Sequence, residues 1–218
     1  MKNSDIYYKY LKNSDNITLF AAKIKKFVFI DQSQNPIEKV LSETPKSEQI
    51  RSFHGTFLSN FYVCPVTYNE KIYPSPEHAY QAAKFSLINL DKISKIQIET
   101  IQEFLKEKGY AEELKSIAML FTSKTVTSGM IKRIAEILRD FGLQRDDWDD
   151  ELRMDNMIPL LIQKFKDPFL AAKLIQTGER VLIEGNEWND TFWGVCNNQG
   201  KNNLGRIIMQ IRLELMDN

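Results

Sequence analysis

The sequence predicts a helix-dominated α+β domain with a small β-sheet, and three observations carry that prediction. Successive segments place apolar residues at helical spacing between start and stop signals. Strand-like runs are few: an aromatic and β-branched stretch over 57–74, and R-V-L-I-E-G at 180–185. The chain has 218 residues, 43% of them hydrophobic and 27% charged, enough for one sizeable core.

Taken in order, residues 1–50 read as an N-terminal extension and 51–218 as the main domain. In the extension, K-F-V-F-I (26–30) is expected to form a strand. The polar run 31–49 carries two prolines and reads mostly as loop. F-L-S-N-F-Y-V-C-P-V-T-Y-N-E-K-I-Y-P then reads as two strands about a turn near Tyr68–Lys71. Ser75 is placed as an N-cap with Pro76 at the first helical position, opening a helix to about Leu87.

Further helices are expected over 91–108, 111–121 and 129–141, with Gly109 and Gly142 as stops. The stretch after Asp147-Trp148-Asp149 reads as a helix kinked or broken at Pro159. D-P-F-L-A-A-K-L-I-Q-T-G has a cap, a first-turn proline and a terminal glycine. N-N-L-G-R-I-I-M-Q-I-R-L-E-L-M closes the chain as an amphipathic helix.

Composition narrows the chemistry. Lys plus Arg equals Asp plus Glu at 29 each, which argues against extended nucleic-acid binding by broad phosphate neutralisation. Two cysteines and two histidines, with no Cys-x-x-Cys, disfavour a disulfide framework or an all-protein zinc site. No apolar run approaches the length of a membrane span and no signal-peptide core is evident. A cytoplasmic, metal-independent protein that needs no cofactor and binds no membrane is expected. A serine triad, a Rossmann glycine pattern and a P-loop are all missing from the sequence.

What remains is carboxylate chemistry beside aromatic surfaces. In Y-P-S-P-E-H-A-Y-Q-A-A-K-F (73–85), Glu77, Gln81 and Lys84 lie at i, i+4 and i+7 on one helix face. Glu77 either completes the cap or is a reactive carboxylate at the positive end of the dipole. Lys84 either reaches solvent or supplies an anion contact or an amine nucleophile. Asn60, in S-N-F, is a turn residue or a reader of a base edge. Trp188 and Trp193 flank Asp190 in a loop rich in asparagine and glycine, where rings supply stacking surface. G-K-N-N-L-G (200–205) opens the last helix, so its amides are candidates for a phosphate. Trp148 reads as a core residue or a stacking platform.

Together these motifs resemble the YbiA-like family, also called NADAR, for NAD- and ADP-ribose-associated. The resemblance runs from L-S-N-F-Y through the E-H helix, D-W, K-F and T-G to W-N-D-T-F-W-G and G-K-N-N-L-G-R-I-I-M-Q-I-R, about residues 52–216. It implies the YbiA-like fold and an N-glycosidase that cleaves between a ribose anomeric carbon and a nitrogen. The implied partners are a small-molecule nucleotide, such as a phosphoribosylated aminopyrimidine of riboflavin synthesis, or an ADP-ribosylated guanine base. Carried over by motif, Glu77 is the first candidate for the catalytic carboxylate, with Asp190 and Lys84 beside it. Asn60, Trp148 and Trp193 match recurrent pocket positions, and the same motifs add Phe61, His78, Gln81, Gly194 and Asn203 as substrate-binding candidates. One segment departs from the family pattern: S-K-T-V-T-S-G-M-I-K (123–132) replaces an A-K-x-x-G-R-like stretch. The rival reading is a module that binds ADP-ribose or a related nucleotide without cleaving it, and the paired carboxylates favour catalysis.

Overall fold

The computed structural model describes residues 14–86, 90, 93–109 and 116–216. In chain order its elements are α1 (Ser14–Gln34), α2 (Ile37–Glu43), β1 (Gln49–Arg51), β2 (Val66–Tyr68), β3 (Lys71–Tyr73), α3 (Pro76–Ala83) and α4 (Lys95–Glu107). Then follow α5 (Ile117–Leu120), α6 (Ser128–Asp140), α7 (Asp150–Lys164), α8 (Pro168–Ile175), β4 (Val181–Ile183) and α9 (Asn203–Met216). The chain is helix-dominated α+β with two small sheets. It forms two compact units, one of residues up to Tyr62 with Leu161 onward, the other Val63–Leu160.

In the first unit β1 pairs with β4 in parallel, Gln49 opposite Val181 and Arg51 opposite Ile183. Helix α9 packs beside β4 through buried Leu204, Ile207, Ile208 and Ile211, the inner face its spacing predicts. Helix α1 lies against α9, burying Ile24 and Val28.

The expected strand at 26–30 is therefore a correction. Ile24 and Val28 are buried at i and i+4, while Phe27 and Phe29 on either side of Val28 are each 45% exposed. That is a helix burying one narrow stripe, and its packing on α9 outweighs the local β preference of the phenylalanines. The polar run 31–49 is corrected too. Pro36 precedes α2, and Ile37, Val40 and Leu41 at i, i+3 and i+4 pack on Val181, Ile183 and Val195.

In the second unit β2 and β3 make an antiparallel hairpin around Asn69 and Glu70. Both turn residues sit in the left-handed region, φ 45° and 62°, which closes a two-residue turn between right-twisted strands. The turn is where the sequence puts it. Residues 57–62 are turns and bends rather than strand, however, closed by local bonds such as Tyr62 N–H to the Ser59 carbonyl, 3.1 Å. Helix α4 opens on a reciprocal capping box of Ser94 and Gln97. Helix α6 begins one residue ahead of its expected start, capped by Thr127. Helix α7 continues across Pro159 rather than breaking there.

Leu87, residues 91–92 and residues 111–115, at the ends of three expected helices, lie outside the described residues, as do residues 1–13. Among the described residues no helix is long and apolar enough to cross a membrane.

Candidate functional site

Helix α3 is built by its own sequence. Ser75 is fully buried with extended backbone, and its hydroxyl oxygen accepts the His78 amide at 3.4 Å, while Pro76 starts the helix without a donor to satisfy. The alanines then let neighbours close in: Ala79 and Ala83 are fully buried. As a result Glu77, His78 and Gln81 are at most 6% exposed.

His78 is tied to the loop before α6. Its Nε2 lies 2.9 Å from the Val126 carbonyl, which only accepts, so Nε2 carries the proton. Burial depresses the imidazole pKa and keeps the ring neutral. Nδ1 then accepts from the Ser75 hydroxyl at 2.8 Å, and the Ser128 hydroxyl, 3.0 Å from Ser75 Oγ, donates to it. Both ring nitrogens are thus used within the protein, so His78 locks α3 to α6 rather than facing a ligand. The divergent segment 123–132 supplies this lock through Val126 and Ser128.

Glu77 and Gln81 face each other one turn apart, with Gln81 Nε2 donating to Glu77 Oε1 at 2.6 Å. Glu77 sits in the first turn, where the helix dipole favours its charge. At the other end of the helix, desolvation lowers the Lys84 amine to a pKa of about 8. The Glu77 charge opposes that shift, and Arg153, Lys132 and Arg139 reinforce it. The amine lies 5.3 Å from the Tyr80 ring centroid.

Trp148 is 8% exposed and packs against Tyr80, ring centroids 5.4 Å apart, so it is a wall of this cluster. Arg145, which the sequence reading passed over, ties the end of α3 in place. Its amide donates to the Lys84 carbonyl at 3.0 Å, and its guanidinium reaches Ser86 Oγ at 3.0 Å and Asp147 Oδ2 at 2.7 Å. The second unit therefore brings together Glu77, Gln81, Lys84 and Trp148.

The first unit holds the other candidates in two places. Asn60 is buried in a tight turn beside Phe61, which is 36% exposed. Lys164, fully buried, donates to the Ser59 carbonyl at 2.7 Å and lies 5.8 Å from the Tyr62 ring centre. Sequence reading noted Lys164 only as part of K-F. A lysine just after the apolar run 157–162 was the signal available.

The loop before α9 carries Asp190, Trp193, Gly194 and Asn203. Asp190 Oδ1 accepts the Trp193 amide at 2.9 Å, and the Asp190 backbone pairs with the Asn186 side chain at 2.8 and 2.9 Å. Trp193 is half-buried and meets Phe192 edge to face, whereas Trp188 is 57% exposed.

The amides that open α9 do not form an open anion cradle, contrary to expectation. Lys201, Asn202, Asn203 and Leu204 donate to the carbonyls of Thr191, Gly194, Phe192 and Trp193 at 2.7, 3.2, 3.4 and 3.0 Å. The helix N-terminus is spent on clasping the tryptophan loop. Gly194 lets the same loop close on the end of β4, since a β-carbon there would lie 2.2 Å from the Glu184 carbonyl oxygen. The Asn203 side chain is 2% exposed and accepts from Gln32 of α1, so it too works inside the protein.

Comparison with known proteins agrees with this anatomy. The model of the NADAR domain matches residues 47–216. A riboflavin biosynthesis protein of Vibrio vulnificus is 32% identical over 167 residues, 75% of this chain but 36% of that protein. The N-glycosidase YbiA of Escherichia coli K12 is 30% identical over 164 residues, 74% of this chain and 82% of YbiA. The NMR structure of E. coli YbiA superposes with a TM-score of 0.53 at 25% identity, over 80% of this chain and 88% of that one. The chain thus spans about a third of the Vibrio relative and most of YbiA. With a family match that begins just before β1 and runs to the end of α9, this chain belongs to the NADAR domain family.

Proposed function

We propose that this protein is an N-glycosidase that hydrolyses the N-ribosyl bond of a phosphorylated or ADP-ribosylated base. The relatives named N-glycosidase YbiA support the reaction class. The observation that carries the assignment to residues is the pairing on α3 of buried Glu77 with an amine whose pKa is depressed to about 8.

Breaking an N-ribosyl bond passes through an oxocarbenium-like state and needs a negative group near the anomeric carbon and an activated water. Glu77 supplies the charge. It takes a proton from the water whose oxygen bonds to the anomeric carbon, while the bond to nitrogen breaks with its electron pair left on the base. The base nitrogen takes a proton from solvent, and Glu77 returns its own to solvent. Gln81, holding one oxygen of Glu77, fixes which way that carboxylate points. Lys84 is mostly ammonium at pH 7 and binds a substrate phosphate. Its lowered pKa also favours a second reading, in which the neutral amine attacks the opened sugar. Borohydride present during turnover would trap that adduct on the wild type and not on Lys84→Met; no adduct leaves Lys84 as the anion contact.

Substrates are proposed in the two classes that the family resemblance implies, a phosphoribosylated aminopyrimidine and an ADP-ribosylated guanine. The test is a panel of both, with NAD and ADP-ribose, followed by mass spectrometry for released base and sugar. Wild-type protein is expected to release one base, and Glu77→Gln, with an unchanged circular dichroism spectrum, none. Full activity of that variant moves the catalytic carboxylate elsewhere, with Asp190→Asn the next substitution. Retention of a ligand with no release by the wild type turns the protein into a nucleotide-binding module.

A further inference from the structure

The segment before β1 lies outside the span of the family domain, which starts at residue 47, yet it is built into the first unit. Ile24 and Val28 bury against α9, and Lys23 Nζ meets Glu214 at 2.6 Å. Its end holds more chemistry than packing requires. Arg206, in the first turn of α9, is 5% exposed and pairs through Nη1 with Asp31. Its Nη2 donates to the Asn35 carbonyl at 2.7 Å, and its Nε to the Lys201 carbonyl at 2.9 Å. Gln32 donates to the Asn203 side chain.

One guanidinium therefore bridges the arm to the turn that clasps the tryptophan loop. The amides of residues 201–204 hold the carbonyls of 191–194, and Asp190 holds Trp193 from the other side. A buried guanidinium stripped of its carboxylate is costly, and the structure relaxes to rehydrate it. Here the relaxation reaches Lys201, whose carbonyl the same guanidinium holds, while Gln32 ties the arm separately to Asn203.

We propose that Asp31 and Gln32 are positioning residues for the Asp190–Gly194 loop, acting through Arg206, Asn203 and the first turn of α9. The arm is then part of the substrate-binding apparatus although it lies outside the family domain. The functional half of this inference rests on the glycosidase reading; the structural half does not.

Amide hydrogen exchange on the full chain tests the structural half without any substrate. In Asp31→Asn the amides of Lys201 and Leu204 are expected to exchange about ten-fold faster, with α3 amides unchanged. Asp31→Glu should restore most of the protection. If Asp31→Asn does not fold, Gln32→Ala removes only the bond to Asn203 and is expected to loosen Leu204 by a smaller factor. Unchanged exchange at both amides in whichever variant folds overturns the coupling.

Kinetics on the released-base assay tests the functional half. Asp31→Asn is expected to raise KM about five- to twenty-fold with kcat within about two-fold, and Asp31→Glu to rescue it. An unchanged KM alongside faster exchange overturns the role in binding. If the wild type releases no base, the glycosidase reading has failed while the exchange result still stands or falls alone.

Discussion

On the proposed mechanism, Lys84 is where function and stability pull apart. An amine whose pKa falls from 10.5 to about 8 carries a cost to the fold of roughly 3 kcal/mol while it stays protonated. Glu77 and the Tyr80 ring offset part of the desolvation, and Arg153, Lys132 and Arg139 add to the cost. On the proposed mechanism, the phosphate contact of the ammonium is what this cost serves. Lys84→Met keeps most of the length of the side chain and removes the charge. It is expected to raise stability at pH 7 by about 1–3 kcal/mol in urea unfolding and to lower kcat/KM by at least about ten-fold. If the ammonium is the working form, wild-type kcat/KM should decline as pH rises through about 8. A rise through that pH is the signature of the neutral amine instead. Equal activity in Lys84→Met would remove Lys84 from the site.

At the scale of elements, the tryptophan loop and α9 each close on β4 and its end through a glycine with no room for a side chain. A β-carbon at Gly194 would meet the Glu184 carbonyl oxygen at 2.2 Å, and one at Gly205 the Leu182 carbonyl oxygen at 2.2 Å. Both obstacles are backbone and cannot swing aside. Gly194→Ala and Gly205→Ala are each expected to cost roughly 3 kcal/mol or more in denaturant unfolding. Gly129→Ala, in the first turn of α6 with nothing closer than 4.0 Å, is the control and should be neutral or stabilising by up to about 1 kcal/mol. Losses as small as the control's would mean that the loop and α9 can shift freely away from β4 and its end.

The same elements show which features are local. The cap of α3 is legible because Ser75, Pro76 and Glu77 carry its chemistry within three residues. The helical arm is not, because Phe27, Phe29 and Ile30 favour a strand until α9 gives Ile24 and Val28 somewhere to go. Nor does a sequence show that the amides of residues 201–204 are already taken, since their acceptors lie about ten residues upstream and meet them only once the tryptophan loop has folded back. Glu77, Gln81 and Lys84 were legible as one face; the neutral, locked state of His78 was not, because Val126 and Ser128 lie about fifty residues away.

For the whole molecule, two buried bases give stability a predictable slope with pH. His78 has its pKa lowered in the fold, so below its unfolded value near 6.5 the unfolded chain binds the proton more readily. Stability is then full above about pH 6.5 and is lost as pH falls below it. Lys84 acts in the same direction in a higher window: between about 8 and 10.5 the unfolded chain holds a proton that the folded chain has released. Its penalty is constant below pH 8 and fades as pH rises from 8 toward 10.5. Tyr73, raised by burial, works oppositely, because its buried phenol resists ionisation and stability drains away as pH passes 10. The clean window for Lys84 is therefore pH 8 to 9.5, where the wild type should gain stability relative to Lys84→Met. Between pH 7 and 5 the wild type should lose stability by an amount that His78→Gln escapes, even though that variant starts from a less stable fold. Urea midpoints of the three proteins at half-unit steps decide it. Parallel curves across pH 8 to 9.5 would place a solvated amine at Lys84 and withdraw the electrostatic basis for its part in the chemistry.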